Sequence, residues 1–191
     1  MMKRDQALRV LARHFPDGIV VPVYQAAFDW MAIRPHPLNF LCTGAMGQGS
    51  SHGLGLALGA PTEKVVILDG DGSLLMNLSS LVTIANAAPR NLIHFVINNG
   101  LYEVNGKFPI PGAGTVNFAG LAREAGYAKA YEFSELEAFE SSIEEILRVK
   151  GPVFVCLKAE AGEPYPMDYV TIHSAESRQM FREALKVRLS T

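Results

Sequence analysis

The chain predicts an α/β fold, a single domain with a mainly parallel sheet and helices on both faces. Short β-branched apolar runs recur along the chain, helical periodicities lie between them, and turn residues separate the two kinds of segment. A length of 191 residues suits one domain spanning 1–191, and 49% hydrophobic with 19% charged residues is ordinary globular composition.

In order, the stretch MMKRDQALRVLARHF mixes charge into an apolar periodicity, which predicts an amphipathic helix over 3–14 and neither a signal peptide nor a membrane span. The runs IVVPV (19–23), LNFLC (38–42), VVILD (65–69), LIHFVI (92–97) and VFVCLK (153–158) read as buried strands. Helical patterns fall at 25–33, 50–60, 74–88, 118–125, 135–149 and 175–189. The turn-rich NGKFPIPGAGTVNF (105–118) is longer than a simple connection needs, which marks it as a functional loop. Sheets of this kind bind ligands outside the C-terminal ends of their strands. Asp71, Asn99 and the glycines after Cys42 all fall at that edge.

A net charge of −2 without blocks of like charge gives no reason to expect nucleic acid or membrane as a partner. Cys42 and Cys156 sit in apolar runs with no metal-type spacing, which reads as a reducing, cytoplasmic setting. Glu135, Glu137, Glu140, Glu144 and Glu145 read as a solvated helix face. Arg178, Arg182, Lys186 and Arg188 complement the dipole of the last helix. His52 reads as a helix-surface or interface residue and His94, inside a strand, as structural.

Two motifs carry chemistry. TGAMGQGSSHGLGLALG places Gly47, Gly49 and Gly53 at a GxGxxxG spacing, with Asp69 ending the next strand, which keeps an NAD(P)-dependent oxidoreductase open as an alternative. The same glycines, with Gly53/Ala57 and Gly55/Gly59 four residues apart, also suit a helix packed closely on a sheet. LDGDGS then sets Asp71 between Gly70 and Gly72 at the end of one strand, and INNGLY sets Asn99 at the end of the next. A divalent cation holding a diphosphate needs hard oxygen ligands, one or two of them carboxylates. Asp71 offers the anion, Asn99 a neutral oxygen and Leu101 a backbone carbonyl, while Gly72 and Ser73 open a helix beginning near Leu74, where free N–H groups favour phosphate.

GDGS followed by a helix, a strand and NN resembles the signature of thiamine diphosphate enzymes, specifically their diphosphate-binding domain. TGAMGQGSSHGLGLALG is similar to the corresponding segment of the decarboxylase and acetolactate synthase branch. NNGLYEVNG resembles a stretch of phosphonopyruvate and sulfopyruvate decarboxylases, and the likeness fits best the β-subunits of two-chain sulfopyruvate decarboxylases. The resemblance implies thiamine diphosphate and Mg²⁺ as cofactors, with Asp71, Asn99 and the Leu101 carbonyl on the metal. It implies cofactor contacts from Gly44, Met46, Gly70, Asp71, Gly72, Ser73, Asn99, Leu101 and Tyr102. Gly44 and Met46 would meet the aminopyrimidine, with the Met46 side chain under the bend of the cofactor; Asn98 would brace the turn. No catalytic residue is implied in this chain, because the glutamate that activates the cofactor comes from a pyrimidine-binding α-subunit. The implied activity is decarboxylation of a small 2-oxo acid, or a related carboligation, in a hetero-oligomer, with a homo-oligomer possible for the isolated chain. A non-catalytic binding or regulatory subunit is the alternative within the same fold.

The chain departs from that pattern after its first predicted strand. VPVYQAAFDW places Pro22, Tyr24 and Phe28 where phosphonopyruvate-type enzymes carry a small Thr-Gly turn, which sets a conventional phosphonate or sulfonate substrate in question. The loop at 105–118 leaves Lys107 as the only cation near the site, with a solvated loop lysine the favoured reading.

Overall fold

In a computed structural model, residues 2–41, 45–162 and 165–190 are described. The first half comprises β1 (Met2–Lys3), α1 (Arg4–His14), β2 (Ile19–Pro22), α2 (Gln25–Ile33), α3 (Gly49–Gly59), β3 (Val65–Gly70), α4 (Asp71–Leu75), α5 (Ser80–Ala87) and β4 (Leu92–Asn98). There follow β5 (Leu101–Tyr102), β6 (Phe108–Pro109), α6 (Phe118–Ala125), β7 (Lys129–Phe133), α7 (Leu136–Arg148), β8 (Val153–Glu160), α8 (Tyr169–His173) and α9 (Ala175–Leu189).

The main sheet has six strands, all parallel, in the order β2-β3-β4-β8, with β7 and β1 sharing the outer side of β8. Strands buried on both faces need apolar residues at every position, and β2, β3, β4 and β8 have them almost throughout. Alternation divides those residues between two cores. Val66, Leu68, Phe95, Val155 and Leu157 pack with Leu8 and Leu11 of α1, Trp30 of α2 and Phe139 and Ile143 of α7. Ile67, Val96, Phe154 and Cys156 pack on the other face with Ala57 of α3, Ile84 of α5, Phe118 and Ala122 of α6 and Phe181 of α9. Gly49 and Gly53 bring α3 onto the sheet: a Cβ at either would overlap Val23 or Ile67. Gly55 and Gly59 face open space, so only half of the four-residue glycine pattern serves packing.

Four expectations need correction. The run at 38–42 is not a strand within the described residues; Asn39 makes one parallel bridge to Val20, and Cys42 lies outside them. The helix expected over 74–88 is two helices, α4 and α5, parted by a turn at Met76–Ser79. The first of these starts at Asp71, ahead of Gly72 and Ser73, and is only five residues long. The long loop is partly ordered as the antiparallel hairpin β5–β6, and it sends the buried Ile110 against Gly72.

Candidate functional site

The site forms where β2, β3 and β4 end. Asp71, the first residue of α4, is 2% exposed, and its two oxygens join the turns after β3 and β4. Oδ1 accepts the Gly72 N–H at 2.7 Å and Oδ2 accepts the Gly100 N–H at 2.6 Å. Burial pushes the Asp71 carboxyl above the usual carboxylate range, and N–H bonds from Gly100, Gly72 and Asn99 pull it back. A carboxylate so placed gains from a cation beside it.

Asn99 follows β4. Its Oδ1 accepts the Leu101 N–H at 2.9 Å, and its Nδ2 donates to Glu103 Oε2 at 2.9 Å. The ladder bonds of the hairpin run from Ile110 N–H to the Gly100 carbonyl and from Lys107 N–H to the Tyr102 carbonyl. Leu101 and Pro109 are therefore a pair without mutual hydrogen bonds, and the Leu101 carbonyl does not face Pro109. Asp71, Asn99 and Leu101 line one cleft, and carboxylate, amide oxygen and backbone carbonyl are donors of the hard-cation kind.

One cleft is lined by Met46, Gly70, Asp71, Gly72, Ser73, Asn99, Leu101 and Tyr102. These are all the site residues expected from the sequence except Gly44, which lies outside the described residues. Gly70 has open space where a Cβ would stand, so a ligand can come against the backbone there. Gly72 has another reason to be glycine: a Cβ would overlap the Tyr102 ring. Ser73 is 5% exposed, and its Oγ accepts the Gly47 N–H at 2.9 Å, which leaves the hydroxyl proton to donate. Asn77 Nδ2 donates to the Gly47 carbonyl at 2.9 Å, so α4 and the turn after it tie down the Met46–Gly47 turn from both sides. Gly47 itself has φ +80°, a conformation that favours glycine. Asn98 Nδ2 reaches Cys156 Sγ of β8 at 3.9 Å, away from these contacts.

Lys107 is a solvated loop lysine, as the sequence favoured. It is exposed in the hairpin turn, whereas Arg4 of α1 lines the cleft at 4% exposure. Arg4 Nε bonds Asp29 Oδ2 at 2.5 Å, and Nη1 bonds Glu103 Oε2. Burial works against the Arg4 charge, but Asp29 and Glu103 outweigh it and hold the guanidinium above its ordinary pKa. Arg4, Asp29 and Glu103 escaped the sequence reading because their separations of 25 and 99 residues follow no motif. Tyr24 also lines the cleft, with φ +44° at the head of α2, an uncommon conformation for a residue with a Cβ.

Asp69, the acid on which a dinucleotide site would rest, is fully buried. Its Oδ1 accepts the Gly70 N–H at 2.9 Å and its Oδ2 stands 3.6 Å from His94 Nε2, while His94 Nδ1 lies 3.2 Å from the Tyr127 hydroxyl. His94 is structural, as expected. His52 packs edge-on against Phe40, and burial lowers its pKa. Gly49 and Gly53 serve the packing of α3, Gly47 serves a turn, and Asp69 is buried beside His94, which leaves the oxidoreductase alternative without a structural feature in its favour.

The fold and the cleft define an α/β domain with a cleft at the carboxyl ends of its parallel strands. The family model described as thiamine pyrophosphate enzyme, C-terminal TPP binding domain, matches residues 22–157, and the chain belongs to this family. It is 33% identical over 163 residues to the sulfopyruvate decarboxylase subunit beta of Methanothermobacter thermautotrophicus, covering 85% of this chain and 84% of that protein. It is 33% identical over 177 residues to the phosphonopyruvate decarboxylase of Streptomyces hygroscopicus, covering 92% of this chain but 43% of that protein, so it spans less than half of that relative. Among solved structures, the benzoylformate decarboxylase from Polynucleobacter necessarius superposes with a TM-score of 0.68 at 22% identity, covering 86% of this chain and 34% of that one, a likeness of fold. Among the described residues no helix is long and apolar enough to cross a membrane.

Proposed function

We propose that the chain is the diphosphate-binding subunit of a two-chain, thiamine diphosphate-dependent decarboxylase acting on a small 2-oxo acid. The observation that carries the reading is the meeting of Asp71, Asn99 and Leu101 beside the open backbone of Gly70. In this reading the Asp71 carboxylate, the Asn99 Oδ1 and the Leu101 carbonyl hold Mg²⁺, and Ser73 donates its hydroxyl proton to the diphosphate. Gly70 and Gly72 border the diphosphate, Tyr102 closes the cleft over Gly72, and Met46 supports the bend of the cofactor. When bound, thiamine diphosphate supplies the carbanion that adds to a 2-oxo acid carbonyl and accepts the electron pair released with CO₂. The protein's own task is to hold and orient.

Activation of the cofactor needs a carboxyl group placed on its pyrimidine. Glu103, a carboxylate in the cleft, is bound to Arg4 and Asn99 on the metal side, which supports a partner chain as the source of that group. The likeness to a relative named as subunit beta points the same way. A cytoplasmic setting goes with this reading, since Cys156 is a buried free thiol. The test is CO₂ release from a panel of 2-oxo acids with Mg²⁺ and thiamine diphosphate, before and after adding the candidate pyrimidine-binding chain. Release only with both chains is the expected result; turnover by this chain alone, or none with both, overturns the reading.

A further inference from the structure

Resting on that reading, we infer that Glu103 and Arg4 are positioning residues for the metal site, and that Glu103 sets which end of the Asn99 amide faces the cation. An asparagine amide presents an oxygen on one side and an NH₂ on the other, and only the oxygen can ligate a hard cation. In this structure the choice is made by neighbours. Glu103 Oε2 receives Asn99 Nδ2 at 2.9 Å, and the Leu101 N–H donates to Asn99 Oδ1 at 2.9 Å. Turning the amide over would set its oxygen against a carboxylate oxygen and its NH₂ against an N–H, so both bonds would become repulsions.

Arg4 makes that arrangement affordable in charge. Glu103 stands in a cleft that already holds Asp71, and an uncompensated second carboxylate there would be expensive or would compete for the cation itself. Arg4 Nη1 occupies the same Glu103 Oε2 that receives the Asn99 amide, so one oxygen bridges guanidinium and ligand. Asp29, fully buried on α2, holds Arg4 from its other side, and Gln25 Nε2 donates to Asp29 Oδ1 at 3.2 Å. The chain of contacts thus runs from α2 through the first residue of α1 to Asn99. Residues that orient a metal ligand in this way typically carry a 10- to 100-fold share of metal affinity.

A double-mutant cycle on the full chain, with its partner chain present, tests this. Calorimetry of thiamine diphosphate with and without Mg²⁺ supplies the readout. Glu103→Ala should weaken Mg²⁺-dependent binding by about 10- to 100-fold in the wild-type background, and by little in an Asn99→Ala background, where there is no amide left to orient. A residue that merely supports the fold would cost the same in both backgrounds, and that additive result overturns the inference. Arg4→Lys, which keeps the charge but not the fork, should lose less affinity than Arg4→Met; equal losses would remove Arg4 from the assignment. Should Arg4→Met fail to fold, the Glu103 cycle decides alone. Failure of the metal site itself reads differently: wild type would bind without Mg²⁺ dependence, or Asp71→Ala would bind like wild type.

Discussion

Two arginines in this protein are each gripped by two carboxylates, one inside and one outside. Arg4 meets Asp29 and Glu103 with side chains 5%, 1% and 15% exposed, whereas Arg188, Asp17 and Glu63 are 36%, 52% and 16% exposed, so the two sets differ in the arginine and the aspartate. The groups are of the same kinds, and burial separates their consequences. Inside, each charge has given up water, so removing one partner strands the others; outside, water and salt stand ready to replace whatever is lost. Asp71 is the informative third case. It is as buried as the Arg4 group, but its bonds come from the backbone N–H groups of Gly72 and Gly100. Within the cleft, Asp29 and Glu103 are balanced by Arg4, whereas Asp71 meets only backbone N–H groups, and it is there that the proposed reading puts a cation.

Changing the buried group should have the largest effect on stability. Arg4→Met should destabilise the chain by about 3–5 kcal/mol, the cost of leaving Asp29 and Glu103 buried without their partner. Urea unfolding followed by circular dichroism reads this, and adding Asp29→Asn to the variant should recover part of the loss. A smaller effect, on turnover, should follow Met46→Ala. The diphosphate anchor around Asp71 stays, so steady-state kinetics of the two-chain enzyme should show turnover reduced by about 10- to 100-fold while cofactor affinity changes much less. Equal losses in both would make Met46 a packing residue.

The smallest change belongs to the surface. Arg188→Met should leave the urea midpoint at the wild-type value in moderate salt, because an exposed network is screened. Its pH dependence has a definite sign. The hydrogen bond from Arg188 holds the Asp17 carboxyl below the usual carboxylate range. Whatever stability this adds is therefore present above the unfolded-state value near pH ~3.9 and is lost as pH falls through the folded-state value. In low salt, where screening is weak, any gap between wild type and Arg188→Met should close in acid, and a gap that widens there would contradict the assignment.

The same contrast shows what the sequence could reveal. The cleft positions of Asp71, Asn99 and Leu101 were legible because each lies within a few residues of the end of a buried apolar run, so strand, turn and cleft residue are written consecutively. The strands β2, β3, β4 and β8 were legible for the same reason. β7 was missed because Lys129 and Glu132 are exposed on an outer strand, breaking the run that marks a central one. The turn between α4 and α5 has no Gly or Pro to announce it, and its Asn77 acts on Gly47, 30 residues earlier. Arg4 looked like one more charge on an amphipathic helix, because Asp29 and Glu103 become its neighbours only after α2 and the turn beyond β4 are in place.

The central claim is that the Asp71 turn is built for a cation that holds a diphosphate. Asp71→Asn tests it with almost no change of shape, since an amide can replace the carboxylate in size but not in charge. Calorimetric titration of thiamine diphosphate into the assembled two-chain protein, with and without Mg²⁺, should show Mg²⁺-dependent binding in the wild type and its loss in Asp71→Asn, with both proteins equally folded. Equal Mg²⁺-dependent affinity in the two would contradict the account.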